Sequence, residues 1–285
     1  MSAPLLELQA VSHVYPDGSN GLNDCTLTLQ RGRRYALLGP NGAGKTTVLQ
    51  HLNGLLRPTT GTLHYDGQPF DYSRQGLTNL RTRVGLVFQN PDRQLFSALV
   101  EEDVSFGPLN LGLHEYEVRH RVTAALDAVG LGGHARRAVH QLSFGQKKRV
   151  CIAGVLAMEP DVLLLDEPMA GLDAPMQIEL TALLDRLAER GVTVLLSTHD
   201  IDFALRWADD IHVMAAGRCI ASGPAQQLAA QTDVLHAAGQ RPPAALALHA
   251  ELVALGVLPH GPAPRSVDAL LDTLRALKHT GVTTA

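Results

Sequence analysis

Apolar residues recur along this chain with two different periods. From Leu6 to Tyr15 and from Leu22 to Leu29 they alternate with polar ones, most plainly in Thr26-Leu27-Thr28-Leu29, and period two predicts strands with one covered face. A third such stretch, Thr62 to Phe70, is broken at Asp66-Gly67, a hairpin signal. Tyr35 to Leu38, Val162 to Leu165 and Val192 to Leu196 are instead continuous apolar runs, as expected for parallel strands buried on both faces. Between Pro91 and Gln141 the spacing turns helical, with Val118, Val122, Ala125, Leu126 and Val129 ahead of Gly130 and Gly132. The pattern predicts an α/β fold: a parallel-sheet core, an antiparallel β subdomain and a helical insertion at about residues 90–145.

After about Gly223 alanine, leucine and proline dominate, with Pro242-Pro243, Pro262 and Pro264 punctuating two helical stretches. Residues 224–285 therefore read as a small helical appendage to a domain spanning 1–223. Its last helix is expected to start after Ser266 as N-cap and to align Val267, Leu270, Leu271, Leu274 and Leu277. That stripe suits either packing on the chain's own core or a dimer contact.

Composition narrows the setting. The 285 residues, 45% hydrophobic and 18% charged, are ordinary globular usage. A net charge of -4 supplies no basic field for nucleic acid, which is not an expected partner. Cys25, Cys151 and Cys219 are odd in number and lack a CxxC pair, which fits a reducing cytosol better than a disulfide framework. No apolar stretch approaches the roughly 20 residues of a membrane helix, so any membrane span is expected in another subunit.

The residues from Gly39 to Thr47, GPNGAGKTT, fit G-x-x-x-x-G-K-[ST] between an apolar strand and a helix carrying Val48, Leu49 and Leu52. Glycines there let backbone N–H groups turn onto phosphate oxygens, and the helix dipole adds positive potential. Lys45 is placed for the β- and γ-phosphates, and the Thr46 hydroxyl for Mg²⁺. The strand from Val162 ends in Asp166-Glu167, at the sheet edge where ligands collect. Asp166 is expected in the Mg²⁺ shell and Glu167 as general base toward water. Ser143-x-x-Gln146 has capping-box spacing before a helix expected over Lys147 to Leu156. A capped N-terminus is also an anion site, open to a γ-phosphate supplied by another molecule.

Taken together, Lys45, Gln89, Ser143, Asp166, Glu167, Asp173 and His199 fall in the order and context of ABC-type ATPase domains, a resemblance over roughly residues 5 to 225. It implies the P-loop NTPase fold of that family and a head-to-tail dimer that sandwiches two ATP molecules. It implies nucleotide contacts from Gly39, Asn41, Gly42, Gly44, Lys45, Thr46 and Thr47 of one subunit. From the other it implies contacts by Ser143, Gly145 and Gln146, with Asp173 on a loop crossing between subunits. Gln89 would serve the metal and the γ-phosphate, and His199 would be the γ-phosphate switch. Tyr15 resembles the aromatic that stacks on adenine, though a strand residue packed on its sheet would look alike. Two positions depart from the family: Phe144 stands where glycine is usual and Met169 where threonine or serine is common.

The stretch from Val87 to Phe96, followed by Val100 to Pro108, resembles the energy-coupling-factor importers. The stretches Gly107 to Leu113 and Gln146 to Met158 are most similar to their cobalt and nickel members. This implies an ATP-hydrolysing subunit, peripheral on the cytoplasmic face of the cell membrane, powering cobalt uptake. Its partners would be a second ATPase subunit, a transmembrane coupling subunit and a substrate-binding membrane subunit. Nickel or a vitamin is the alternative cargo. A soluble ABC ATPase acting on nucleic acid or ribosomes is the competing class, disfavoured by one phosphate loop and no sustained heptads.

Overall fold

A computed structural model describes residues 3–279. Strands β1 (Leu6–Val14), β2 (Asn20–Leu29), β4 (Thr60–Tyr65) and β5 (Gln68–Pro69) form an antiparallel sheet in the order β2-β1-β4-β5. Leu6 and Leu8 pair with Leu29 and Leu27 and all four are buried, the one-faced packing that the alternation predicts. The Asp66-Gly67 turn has φ of 50° and 74°, which matches the twist of the strands it joins.

The second sheet has the order β10-β9-β3-β8-β7-β6, from β3 (Arg34–Leu38), β6 (Val84–Val87), β7 (Val162–Leu165), β8 (Thr193–Thr198), β9 (Asp210–Ala215) and β10 (Arg218–Pro224). Its strands are parallel except β10, which is antiparallel to β9. Both faces are covered. On one lie the β1–β2 leucines and α1 (Lys45–Leu52), and on the other the remaining helical core.

Helix α2 (Arg74–Arg83) precedes β6. The insertion supplies α3 (Val100–Asn110) and α4 (Glu115–Ala128), which pack with α5 (Phe144–Leu156). Val118, Val122, Ala125, Leu126 and Val129 are all buried there. Helix α5 starts at Phe144 rather than at Lys147, because the Ser143 cap opens the helix at the next residue: Ser143 Oγ accepts from Gln146 N at 3.2 Å while Gln146 Oε1 accepts from Ser143 N at 3.0 Å. Helices α6 (Ala174–Glu189) and α7 (Ile201–Trp207) complete the layer.

Beyond β10, α8 (Ala225–Ala229) and α9 (Thr232–Ala237) stay in the main core through Ala225, Leu228, Ala229, Leu235 and Ala238. Helices α10 (Ala244–Ala254) and α11 (Val267–His279) pack on each other. Ser266 Oγ accepts from Ala269 N at 3.1 Å, the expected cap. Of the predicted stripe, Leu270 is buried while Val267 and Leu271 are exposed. The appendage grips α7 at both ends. Asp202 Oδ1 accepts from Ala244 N at 2.8 Å, and Arg265 donates to Leu205 O at 2.9 Å and to Ala208 O. Among the described residues no helix is long and apolar enough to cross a membrane.

Candidate nucleotide site

The carboxyl ends of β3, β6, β7 and β8 deliver four short segments to one edge of the parallel sheet, where an α/β fold gathers ligands. The loop after β3 turns into α1 at Gly44, whose φ is 97° and where an added Cβ would lie 2.7 Å from Gly21 O. Neither the conformation nor the space admits a side chain. Lys45, 6% exposed, folds over the loop and donates from Nζ to Gly39 O at 2.7 Å and Pro40 O at 3.1 Å.

Facing it, Asp166 links three elements. Thr46 Oγ1 of α1 donates to Asp166 Oδ2 at 2.8 Å, and Ser197 Oγ of β8 donates to Asp166 Oδ1 at 2.7 Å. The next residue, Glu167, has a φ of 43°, a conformation non-glycine residues adopt only when their surroundings enforce it. Its N–H donates to Ser197 Oγ at 2.8 Å. Its carboxylate lies between His199 and the Lys45 ammonium: Oε2 is 3.1 Å from His199 Nδ1, and Oε1 is 3.3 Å from Lys45 Nζ. Oε1 accepts no well-aligned hydrogen bond despite that ion pair.

A cleft of about 380 Å³ is lined by Tyr15, Asn41, Gly42, Gly44, Lys45, Thr46, Thr47, Gln89, Asp166 and Glu167. Gly39 joins through its carbonyl and His199 through Glu167. Tyr15 OH lies 2.9 Å from Thr47 Oγ1. Asn20 and Gly21 also line the cleft; with Ser197 they are the neighbours that spacing does not reveal. Gly21 packs so closely that a Cβ there would meet the Tyr15 ring at 2.7 Å.

Ser143, Gly145, Gln146 and Asp173 do not line this cleft. They cluster where α5 and α6 begin: Asp173 caps α6 by accepting from Met176 N at 3.0 Å, and Gly145 faces Met176 and Leu172. Phe144, with a helical backbone, lays its ring across Gly171. A larger cleft of about 490 Å³ runs between β6, α3 and α5. At its lip Phe96 and Phe106, 65% and 50% exposed, meet edge-on at 4.8 Å.

Comparison with known proteins adds names to this geometry. A family profile described as ABC transporter matches residues 22–170. The cobalt import ATP-binding protein CbiO of Rhodobacter capsulatus is 46% identical over 94% of this chain and 96% of its own. The energy-coupling factor transporter ATP-binding protein EcfA2 of Methanospirillum hungatei is 44% identical over 97% of this chain and 69% of its own. Among solved structures, CbiO1 of Clostridium perfringens, described as part of the ABC transporter complex CbiONQ, superposes with a TM-score of 0.74 at 44% identity, covering 82% of this chain and 93% of that one. A dimeric ATP-binding cassette bound to ADP and Pi superposes with a TM-score of 0.70 at 30% identity, covering 77% and 98%.

Proposed function

Since the chain belongs to the ABC transporter family and binds and hydrolyses ATP, we propose that it powers cobalt uptake as the motor of an energy-coupling-factor importer. Two copies form the motor on the cytoplasmic face of the membrane. Support for the cargo is the 46% identity to a cobalt import ATP-binding protein over nearly the full length of both chains. Residues 1–223 act as the ATPase domain, with a helical subdomain at about 90–145. Residues 224–285, rooted in its core through α8 and α9, join the two copies; 280–285 lie outside the described residues.

One observation carries the catalytic reading: the Glu167 carboxylate stands at the end of β7 between Lys45 and His199, on the lining of the cleft that holds the phosphate loop. Glu167 takes the proton of the attacking water, a general-base contribution of about 10² to 10⁴ in rate. Lys45 offsets charge on the β- and γ-phosphates, and backbone N–H groups of Gly42 to Thr46 hold the phosphate oxygens. His199 and Gln89 position the γ-phosphate and the water. Tyr15 covers the adenine, and Ser143, Gly145, Gln146 and Asp173 of the second copy close the site. Thr46 and Asp166 present hard oxygens 2.8 Å apart, a pair that fits Mg²⁺ completing its shell with phosphate and water. When bound, the ion supplies charge neutralisation to the β- and γ-oxygens.

The apolar cleft beside Gln89 receives the transmembrane coupling subunit, so movement of the insertion passes to the membrane, where the substrate-binding subunit selects the metal. The test is uptake of labelled cobalt and, separately, nickel by cells expressing this chain with its membrane partners, against Lys45→Ala. Cobalt uptake that disappears in Lys45→Ala is the expected result. Nickel-only uptake would keep the motor and change the cargo, and movement of neither metal would leave a vitamin-type cargo.

A further inference from the structure

One buried charge has no part in the chemistry above. Lys148, 3% exposed, sits on α5 five residues beyond Ser143. Its ammonium donates to Pro168 O at 2.6 Å and Ala170 O at 2.7 Å, and stands 3.5 Å from Glu167 O. The Phe144 ring covers it from the other side, with Nζ 5.3 Å from the centroid. Burial pushes the Lys148 pKa down to about 8. A buried ammonium is tolerated only where hydrogen bonds replace water, and here the replacements are the carbonyls of the segment that leaves Glu167.

That segment needs holding. Glu167 keeps a φ of 43°, a strained state that persists only where neighbours over-determine it. Ser197 pins the N–H side, and Lys148 pins the carbonyl side. Lys148 is also rigidly connected to the N-terminus of α5, because five residues of helix rise only about 7.5 Å and the first turn is locked by the Ser143–Gln146 box. A displacement of about 1 Å at the start of α5 would therefore reach bonds of 2.6–2.7 Å that tolerate little stretching.

We propose that Lys148, shielded by Phe144, is a positioning residue for Glu167, and that it makes the alignment of this base depend on what the N-terminus of α5 contacts, the nucleotide held by the second copy. This rests on the reading of Glu167 as base and of Ser143 as a contact across the dimer. Each ATP then helps to align the base that acts on the other.

The experiment is steady-state ATPase of the full chain in its transporter complex, with ATP concentration varied and melting temperature followed in parallel. For Lys148→Met, kcat falls about tenfold, KM stays within about twofold, and the Hill coefficient drops from about 2 to about 1. Lys148→Gln, which keeps a donor, recovers part of the turnover. If Lys148→Met does not fold, Lys148→Gln and Phe144→Leu carry the test, each with a kcat about two- to threefold below wild type at unchanged KM. Wild-type kcat in these variants, a KM that rises in step with the loss, or a wild-type Hill coefficient already near 1 would overturn the inference. Glu167→Gln run alongside separates the two readings. If it is slow while Lys148→Met is normal, only this inference falls; if it turns over normally, the assignment of the base falls with it.

Discussion

His51 and His212 are buried with Nε2 unpaired, while their Nδ1 atoms lie 2.7 Å from Thr47 O and Ser222 Oγ. Burial pushes both down to about 4, so the fold holds neutral imidazoles. The unfolded chain, with histidines near 6.5, binds more protons below that pH. Stability is therefore complete above about pH 6.5 and declines toward pH 4, by up to about 1.4 kcal/mol per pH unit for each histidine. Urea unfolding at pH 7.5 and pH 5 is expected to show a loss of up to about 4 kcal/mol, and a flat profile would refute it. Residues are legible in the sequence where their partners are near along the chain: the glycines and Lys45 of the loop, Asp166 beside Glu167, and Ser143 with Gln146. The links made by Ser197 and Lys148 span 31 and 19 residues and leave no spacing to read. Phe144 reads only as a backbone constraint, because its contact with Lys148 depends on how the helix begins.

Helix α3 shows what one turn of chain can organise. Glu102 accepts from Leu99 N at 3.1 Å, and Asp103 accepts from Phe96 N at 3.1 Å and Ser97 N at 3.2 Å. Burial raises the Asp103 carboxyl pKa and the two N–H donors oppose that shift, so the carboxylate holds the Phe96 loop against Phe106 at the lip of the larger cleft. Asp103→Ala is expected to cost about 1–3 kcal/mol and to reduce recovery of the coupling subunit in affinity purification. ATP affinity should not change, and undiminished recovery would count against the role of this turn. Elements with a strong period are legible, including the alternating β1 and β2 and the apolar β3, β7 and β8. Helix α2 has Leu80 as its one buried residue, and β10 alternates only between half-buried and exposed. With so little apolar contrast, neither announces itself. Strand β9 carries His212 inside an apolar run.

Across the whole molecule, the composition changes at about residue 223 but the core continues through Ala238, because alanine and leucine serve equally as core and as surface-helix residues. The grip on α7 is a product of the folded whole that no local pattern signals. Removing the Arg265 guanidinium strips a donor from the Leu205 and Ala208 carbonyls. Arg265→Ala is expected to raise amide hydrogen exchange in residues 200–208 by about 5- to 30-fold, equivalent to about 1–2 kcal/mol, with β1 and β2 unaffected. Unchanged exchange in α7 would show that the grip adds no stability there.

The same grip has a consequence in time. Arg265 is added to the growing chain 66 residues after His199, about 3–13 s later at ordinary rates of synthesis. During that interval the phosphate loop, Asp166, Glu167 and His199 already exist, but α7 lacks the clamp at its far end. The nascent ATPase thus has its chemical groups before the segment behind its switch is secured, and a pause in translation between these points would prolong that half-secured state.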